Sequence, residues 1–98
     1  YNASSSGALN SMTKSMAIIL GPIRVNAICP CFIQGDWLKK GMGDDLYNAA
    51  KENLTSSTPL KLTVTPEQVA EGIYNFIEIS KVVTGETMLM DGGHHLIV

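Results

Sequence analysis

Ile23-Arg24-Val25-Asn26-Ala27-Ile28-Cys29 is a short run rich in β-branched side chains, and Pro30 follows it. Such a run reads as a strand, and Pro30 ends it because proline cannot donate to a ladder. Upstream, Leu9, Met12, Met16, Ile19 and Leu20 fall at helical spacing and define one stripe of a helix over 8–20. Ser4, Ser5 and Ser6 stand where they can cap its free N–H groups, and Gly21-Pro22 stops it. Downstream, Thr65-Pro66-Glu67-Gln68 starts another helix. Thr65 caps it, Pro66 suits its first position and Gln68 completes a capping box. Its stripe of Val69, Ile73, Phe76 and Ile77 runs to about Ser80, and is expected to be buried. Residues 86–90, Glu-Thr-Met-Leu-Met, read as a second strand, closed by Asp91-Gly92-Gly93.

Between the first strand and the second helix lies a different stretch, 31–64. It mixes Gly35, Gly41 and Gly43 with Trp37, charged residues and the polar cluster Thr55-Ser56-Ser57-Thr58-Pro59. Short helical pieces fit 36–41 and 44–53, the latter with a weak stripe of Leu46, Ala49, Ala50 and Leu54. An insertion of this size between regular elements reads as a functional lid. The order is helix, strand, lid, helix, strand. A crossover this long implies a parallel pair connected right-handed. Parallel sheets need both faces covered, and two strands alone are marginal. The pattern therefore reads as the C-terminal part of a larger α/β sheet.

Composition narrows the function classes. Of 98 residues, 45% are hydrophobic, and seven Lys and Arg stand against nine Asp and Glu for a net charge of −2. That balance argues against a nucleic-acid surface, which needs clustered cations. No apolar run approaches the roughly 20 residues of a membrane span, and the first residues do not read as a charged-then-apolar signal peptide. Cys29 and Cys31 are the only cysteines. They lack the further ligands of a zinc site and are too few for a disulfide framework, so reduced thiols in a cytoplasmic protein, and no metal, are expected. His94 and His95, if on a strand, point to opposite faces and fit packing rather than ligation. Met12 and Met16 are expected in the core, and Arg24 and Asn26 in structural hydrogen bonds.

Several blocks in register carry a resemblance. Tyr1-Asn2-Ala3-Ser4, Gly7-Ala8-Leu9-Asn10-Ser11-Met12-Thr13-Lys14, Ile23-Arg24-Val25-Asn26-Ala27-Ile28-Cys29-Pro30 and Asp91-Gly92-Gly93 closely resemble the short-chain dehydrogenase/reductase family. The resemblance spans the chain and implies the C-terminal portion of a Rossmann-type doubly wound parallel sheet, one domain over 1–98 with a substrate lid at 36–64. It implies hydride transfer between NAD or NADP and a small-molecule carbonyl or alcohol, with Tyr1 as general acid/base. It also implies cofactor contacts at Pro30, Cys31 and the Ile33 backbone, and Trp37, Leu38 and Met42 facing substrate. Relatives of this kind assemble as homodimers or homotetramers. The chain corresponds to roughly two-fifths of a family-sized polypeptide, so a missing N-terminal half is expected to supply the glycine-rich turn. Without it the isolated chain is expected to be inactive and to bind dinucleotide poorly.

Three positions depart from the family pattern. The lysine expected one helical turn after the tyrosine is Ser5, and Lys14 is too far along the helix to replace it. Cys31 stands where a glycine is usual after Pro30, and Gly35 ends Ile33-Gln34-Gly35 where the family often has threonine. The backbone role of Ile33 carries over; the threonine hydroxyl does not. A non-catalytic relative that keeps the fold for binding or assembly is the alternative reading.

Overall fold

The computed structural model describes residues 3–30 and 32–97, with side chains from Gly7 onward. Tyr1 and Cys31, assigned above to catalysis and cofactor binding, lie outside the described residues. The chain divides into two compact units, Tyr1–Cys29 with Ala70–Leu89, and Pro30–Val69 with Met90–Val98.

α1 (Ala3–Leu20) belongs to the first unit, and β1 (Ala27–Pro30) pairs with β2 (Thr87–Met90) in a parallel two-stranded sheet. The serines at 4–6 lie within α1 rather than ahead of it as caps. The inward face of α1 is Leu9, Thr13 and Ala17, spaced by four. Thr13 is buried, and its hydroxyl returns to Leu9 O at 2.7 Å. Gly85, buried at φ 76°, sits so close that a Cβ there would lie 3.5 Å from that of Ala17. Small side chains thus let the helix approach the turn before β2. Met12 and Met16, expected in the core, are exposed at 55% and 40%. Periodicity detects an apolar stripe but not what covers it, and nothing among the described residues covers that one.

The first strand begins at Ala27, four residues later than its sequence suggests. Residues 24–26 make their connections largely through side chains. Val25 N–H donates to Thr84 Oγ1 at 3.0 Å, while Val25 O accepts from Gly85 N–H at 2.7 Å. The Asn26 amide donates to Val83 O at 2.9 Å and accepts from Glu86 N–H at 3.1 Å. Regular pairing then starts with Ala27 N–H to Glu86 O at 2.9 Å. Arg24 reaches the end of the second long helix, where α4 (Pro66–Tyr74) continues as a π-turn over Asn75–Ile79. Its guanidinium donates to Phe76 O, to Ser80 O at 3.1 Å and to Ile77 O at 3.0 Å. Carbonyls at a helix C-terminus lack intrahelical partners and carry partial negative charge, which a cation satisfies. The expected stripe on this helix is only partly covered. Phe76 is half-buried, but Ile73 and Ile77 are exposed beside an open groove of about 450 Å³ that Arg24, Asn26 and Ile28 also line.

The second unit holds the inserted segment. Phe32 and Gln34 flank a parallel bridge between Ile33 and Val64. Then come α2 (Asp36–Met42) and α3 (Asp44–Ser57), close to the pieces expected at 36–41 and 44–53. The inward stripe of α3 is Tyr47, Ala50, Lys51 and Leu54; Leu46 and Ala49, expected in it, are exposed. The Phe32 and Tyr47 rings meet at 5.5 Å between centroids. Thr58, almost fully buried, bonds both Leu62 N–H and Leu62 O at 3.3 Å and fixes the chain reversal after α3. The capping box forms as expected: Gln68 N–H donates to Thr65 Oγ1 at 3.2 Å, and Thr65 N–H to Gln68 Oε1 at 2.9 Å.

Asp91-Gly92-Gly93 turns the chain out of β2 into a 3₁₀ turn over His94–Leu96. Gly93 has φ 89° and packs on Pro59, so a Cβ would lie 3.0 Å from that ring. The two histidines therefore do not alternate along a strand. His95 Nδ1 donates to the Asp91 carboxylate at 2.9 Å, and His94 Nδ1 is buried with no hydrogen-bond partner among the described residues. Burial pushes the Asp91 carboxyl up. Hydrogen bonds from the His95 ring and from the backbone N–H groups of His95 and Gly93, with the His95 charge, outweigh it and hold Asp91 below the ordinary 3.8.

Candidate functional site

The residues that follow the first strand form the candidate cofactor edge. In the bridge at Ile33, Gln34 N–H donates to Val64 O at 2.7 Å and Val64 N–H donates to Phe32 O at 3.2 Å. A parallel bridge of that form uses the groups on either side of Ile33 and turns its own N–H and C=O the other way. Neither Ile33 group has a partner among the described residues. One donor and one acceptor on the same residue are complementary to a primary carboxamide, whose carbonyl oxygen accepts and whose NH2 donates. Pro30, the last residue of β1, is half-buried and adds no donor. Gly35 has φ 155° and ψ 166°, a conformation open to glycine and to few other residues, and a Cβ there would meet nothing within 4 Å. The residues present thus fit the carboxamide end of a nicotinamide.

The residues expected to face substrate separate into two groups. Trp37 is 86% exposed, while Leu38 and Met42 are half-buried. A groove of about 460 Å³ opens between α2, α3 and the start of α4. It is lined instead by Tyr47 and Lys51 of α3, Asp36 and Lys39 of α2, and Gly35 and Glu67. Tyr47 is only 7% exposed, and its hydroxyl oxygen accepts from Gly35 N–H at 3.1 Å. The sequence reading passed over Tyr47, Lys39 and Lys51. The spacing Tyr47–Ala50–Leu54 was available as a signal, since it is as helical as the stripe beginning at Leu46. Among the described residues no group of three or more His, Cys, Asp or Glu side chains could hold a metal. No helix of the described residues is long and apolar enough to cross a membrane.

Comparison with known proteins places this geometry. Residues 1–95 match the family model described as enoyl-(acyl carrier protein) reductase. A Streptomyces violaceoruber protein of the granaticin polyketide synthase, whose name assigns it to ketoacyl reduction, is 34% identical over 97% of this chain and 37% of its own. The Rickettsia bellii 3-oxoacyl-[acyl-carrier-protein] reductase FabG is also 34% identical, over 95% of this chain and 37% of its own. Among solved structures, a small-chain dehydrogenase in complex with NADPH superposes with a TM-score of 0.81 at 32% identity, over 92% of this chain and 40% of that one. The chain thus spans less than half the length of the relatives it matches, and its two strands are a portion of their Rossmann-type sheet. With nearly every residue inside the matched span and the backbone superposing on a nicotinamide-binding neighbour, the chain belongs to the short-chain dehydrogenase/reductase family.

Proposed function

We propose that the intact protein is a cytoplasmic oxidoreductase that transfers a hydride between NAD or NADP and a carbonyl or alcohol substrate. The observation that carries the reading is the free donor and acceptor of Ile33, set directly after β1 in a chain of this family. When bound, the nicotinamide supplies or accepts the hydride. Ile33 holds the carboxamide through its backbone, and Pro30 and Gly35 keep the flanking stretch free of competing groups. Tyr1 gives its phenolic proton to the carbonyl oxygen during reduction and recovers it during oxidation, a role resting on its register in the family. Segment 36–64 covers the substrate.

A second reading is favoured by one residue. Ser5, within α1, stands where a lysine would lower the pKa of the tyrosine and hydrogen-bond the ribose. A hydroxyl supplies no positive potential, so this chain also fits a relative that keeps cofactor binding or assembly without turnover. Two measurements on the full-length protein decide. The first is binding of reduced nicotinamide dinucleotide against its 3-acetylpyridine analogue, which lacks the amide donor to Ile33 O. The analogue should bind about tenfold more weakly, the worth of one hydrogen bond; equal binding contradicts the Ile33 assignment. The second is consumption of reduced cofactor with simple ketones. Turnover supports the enzyme, whereas binding without turnover, relieved by Ser5→Lys, supports the second reading.

A further inference from the structure

The groove between α2, α3 and the start of α4 brings three donors, the Tyr47 hydroxyl and the Lys39 and Lys51 ammonium groups, to one wall, with the carboxylates of Asp36 and Glu67 at its exposed edge. Tyr47 is more than nine-tenths buried, and its oxygen is already engaged by Gly35 N–H at 3.1 Å. Its proton has no acceptor among the described residues. The hydroxyl faces a groove open to solvent, where water can take that proton and an oxyanion can replace the water. Lys39 and Lys51 line the same groove half-buried, and neither lies within 4 Å of a carboxylate among the described residues. Ammonium groups carry donors and no acceptor. The two carboxylates of the groove, Asp36 and Glu67, are exposed in the first turns of α2 and α4, where helix N-termini favour them. They cancel the formal charge of the two lysines, so the groove does not attract anions from a distance.

We propose that this groove binds an oxyanion carried by the substrate, a carboxylate or a phosphate, with the Tyr47 hydroxyl and the Lys39 and Lys51 ammonium groups as its donors. The proposal deepens the oxidoreductase reading and rests on segment 36–64 being the substrate loop. It assigns specificity to three residues apart from those proposed to carry the proton and hold the carboxamide.

The test uses the full-length protein in two independent ways. In the first, kcat/KM is measured for three ketones of similar size ending in a carboxylate, a phosphate or a methyl ester. The expected result is a preference of tenfold or more for one charged ketone over the ester, and the charged arm that wins identifies the oxyanion. That preference should fall about tenfold in Tyr47→Phe and in the double variant Lys39→Gln/Lys51→Gln, the worth of a charged hydrogen bond. Lys81→Gln, which alters an exposed lysine outside the groove, should keep it. In the second, Lys39 and Lys51 are labelled with an amine-acylating reagent with and without malonate or inorganic phosphate at constant ionic strength. Protection of both lysines by either anion, lost in Tyr47→Phe, is expected. Turnover of all three ketones at equal efficiency with no protection overturns the oxyanion site and leaves hydride transfer standing. Protection without turnover of any ketone upholds the site and defeats the oxidoreductase reading.

Discussion

Arg24→Met is expected to destabilise the protein by about 3 kcal/mol. The guanidinium donates to Phe76 O, Ile77 O and Ser80 O, gathering the last carbonyls of α4 and its π-turn onto the residue that precedes β1. Hydrogen bonds to a charged group contribute about 1.5–3 kcal/mol each. The three here share one side chain and one is exposed, so they do not add in full. Discounting the exposed bond for solvent leaves roughly the worth of the other two near their lower limit. Arg24→Lys keeps the charge but replaces a planar fork by a single point, and should recover about half of the loss. Urea unfolding of the full-length protein followed by circular dichroism reads the effect as a lower midpoint with unchanged slope. Hydrogen exchange should quicken at Ser80 and Val83, whose N–H groups bond to Asn75 O and Ser80 O. Lys81→Gln removes only the exposed pair with Glu78 and is the control, expected within about 0.5 kcal/mol of the parent. A change below about 0.5 kcal/mol in Arg24→Met would show that these carbonyls are served equally well by water, and the reasoning would be wrong.

Two further effects follow from the turn after β2. Gly93→Ala forces a side chain into φ 89° and brings its Cβ to 3.0 Å from a rigid proline ring, a loss of about 2 kcal/mol in the same assay. Asp91 titrates below its ordinary 3.8 in the folded chain, so its contribution to stability is present above that value and disappears as pH falls through the lower folded value. The unfolding midpoint should therefore drop as pH falls below about 4, and Asp91→Asn should flatten that part of the profile. An unchanged slope in the variant would mean that other carboxyls carry it.

What the sequence made legible is local or periodic. The Thr65–Gln68 capping box forms both of its bonds because it depends on four consecutive residues. The helical pieces of the inserted segment follow from their glycine boundaries at Gly35 and Gly43. The family resemblance, carried by four blocks in register, is upheld across the chain. What was not legible depends on partners distant in sequence. Met12 and Met16 look like core because apolar spacing says nothing about whether the covering surface belongs to the same chain. Residues 23–26 look like strand, yet Arg24 and Asn26 spend their side chains on carbonyls more than fifty positions away, so regular pairing starts only at Ala27. Tyr47 was hidden because its hydroxyl matters only once Gly35 is brought to it. Of the candidate site, the backbone role of Ile33 was an expectation carried by the family resemblance, while the donors of the groove between α2, α3 and the start of α4 required the fold.

The central claim is that this chain contributes the proton-transfer residue and the carboxamide-binding edge of a hydride-transferring enzyme. The most direct measurement is the rate of ketone reduction by the full-length protein and its Tyr1→Phe variant, with saturating reduced cofactor. Loss of the phenolic proton should lower kcat by about 10²–10⁴-fold, the range of general acid catalysis, with cofactor binding retained. Equal rates in the two proteins, or failure of the parent to bind nicotinamide dinucleotide at all, would contradict the account.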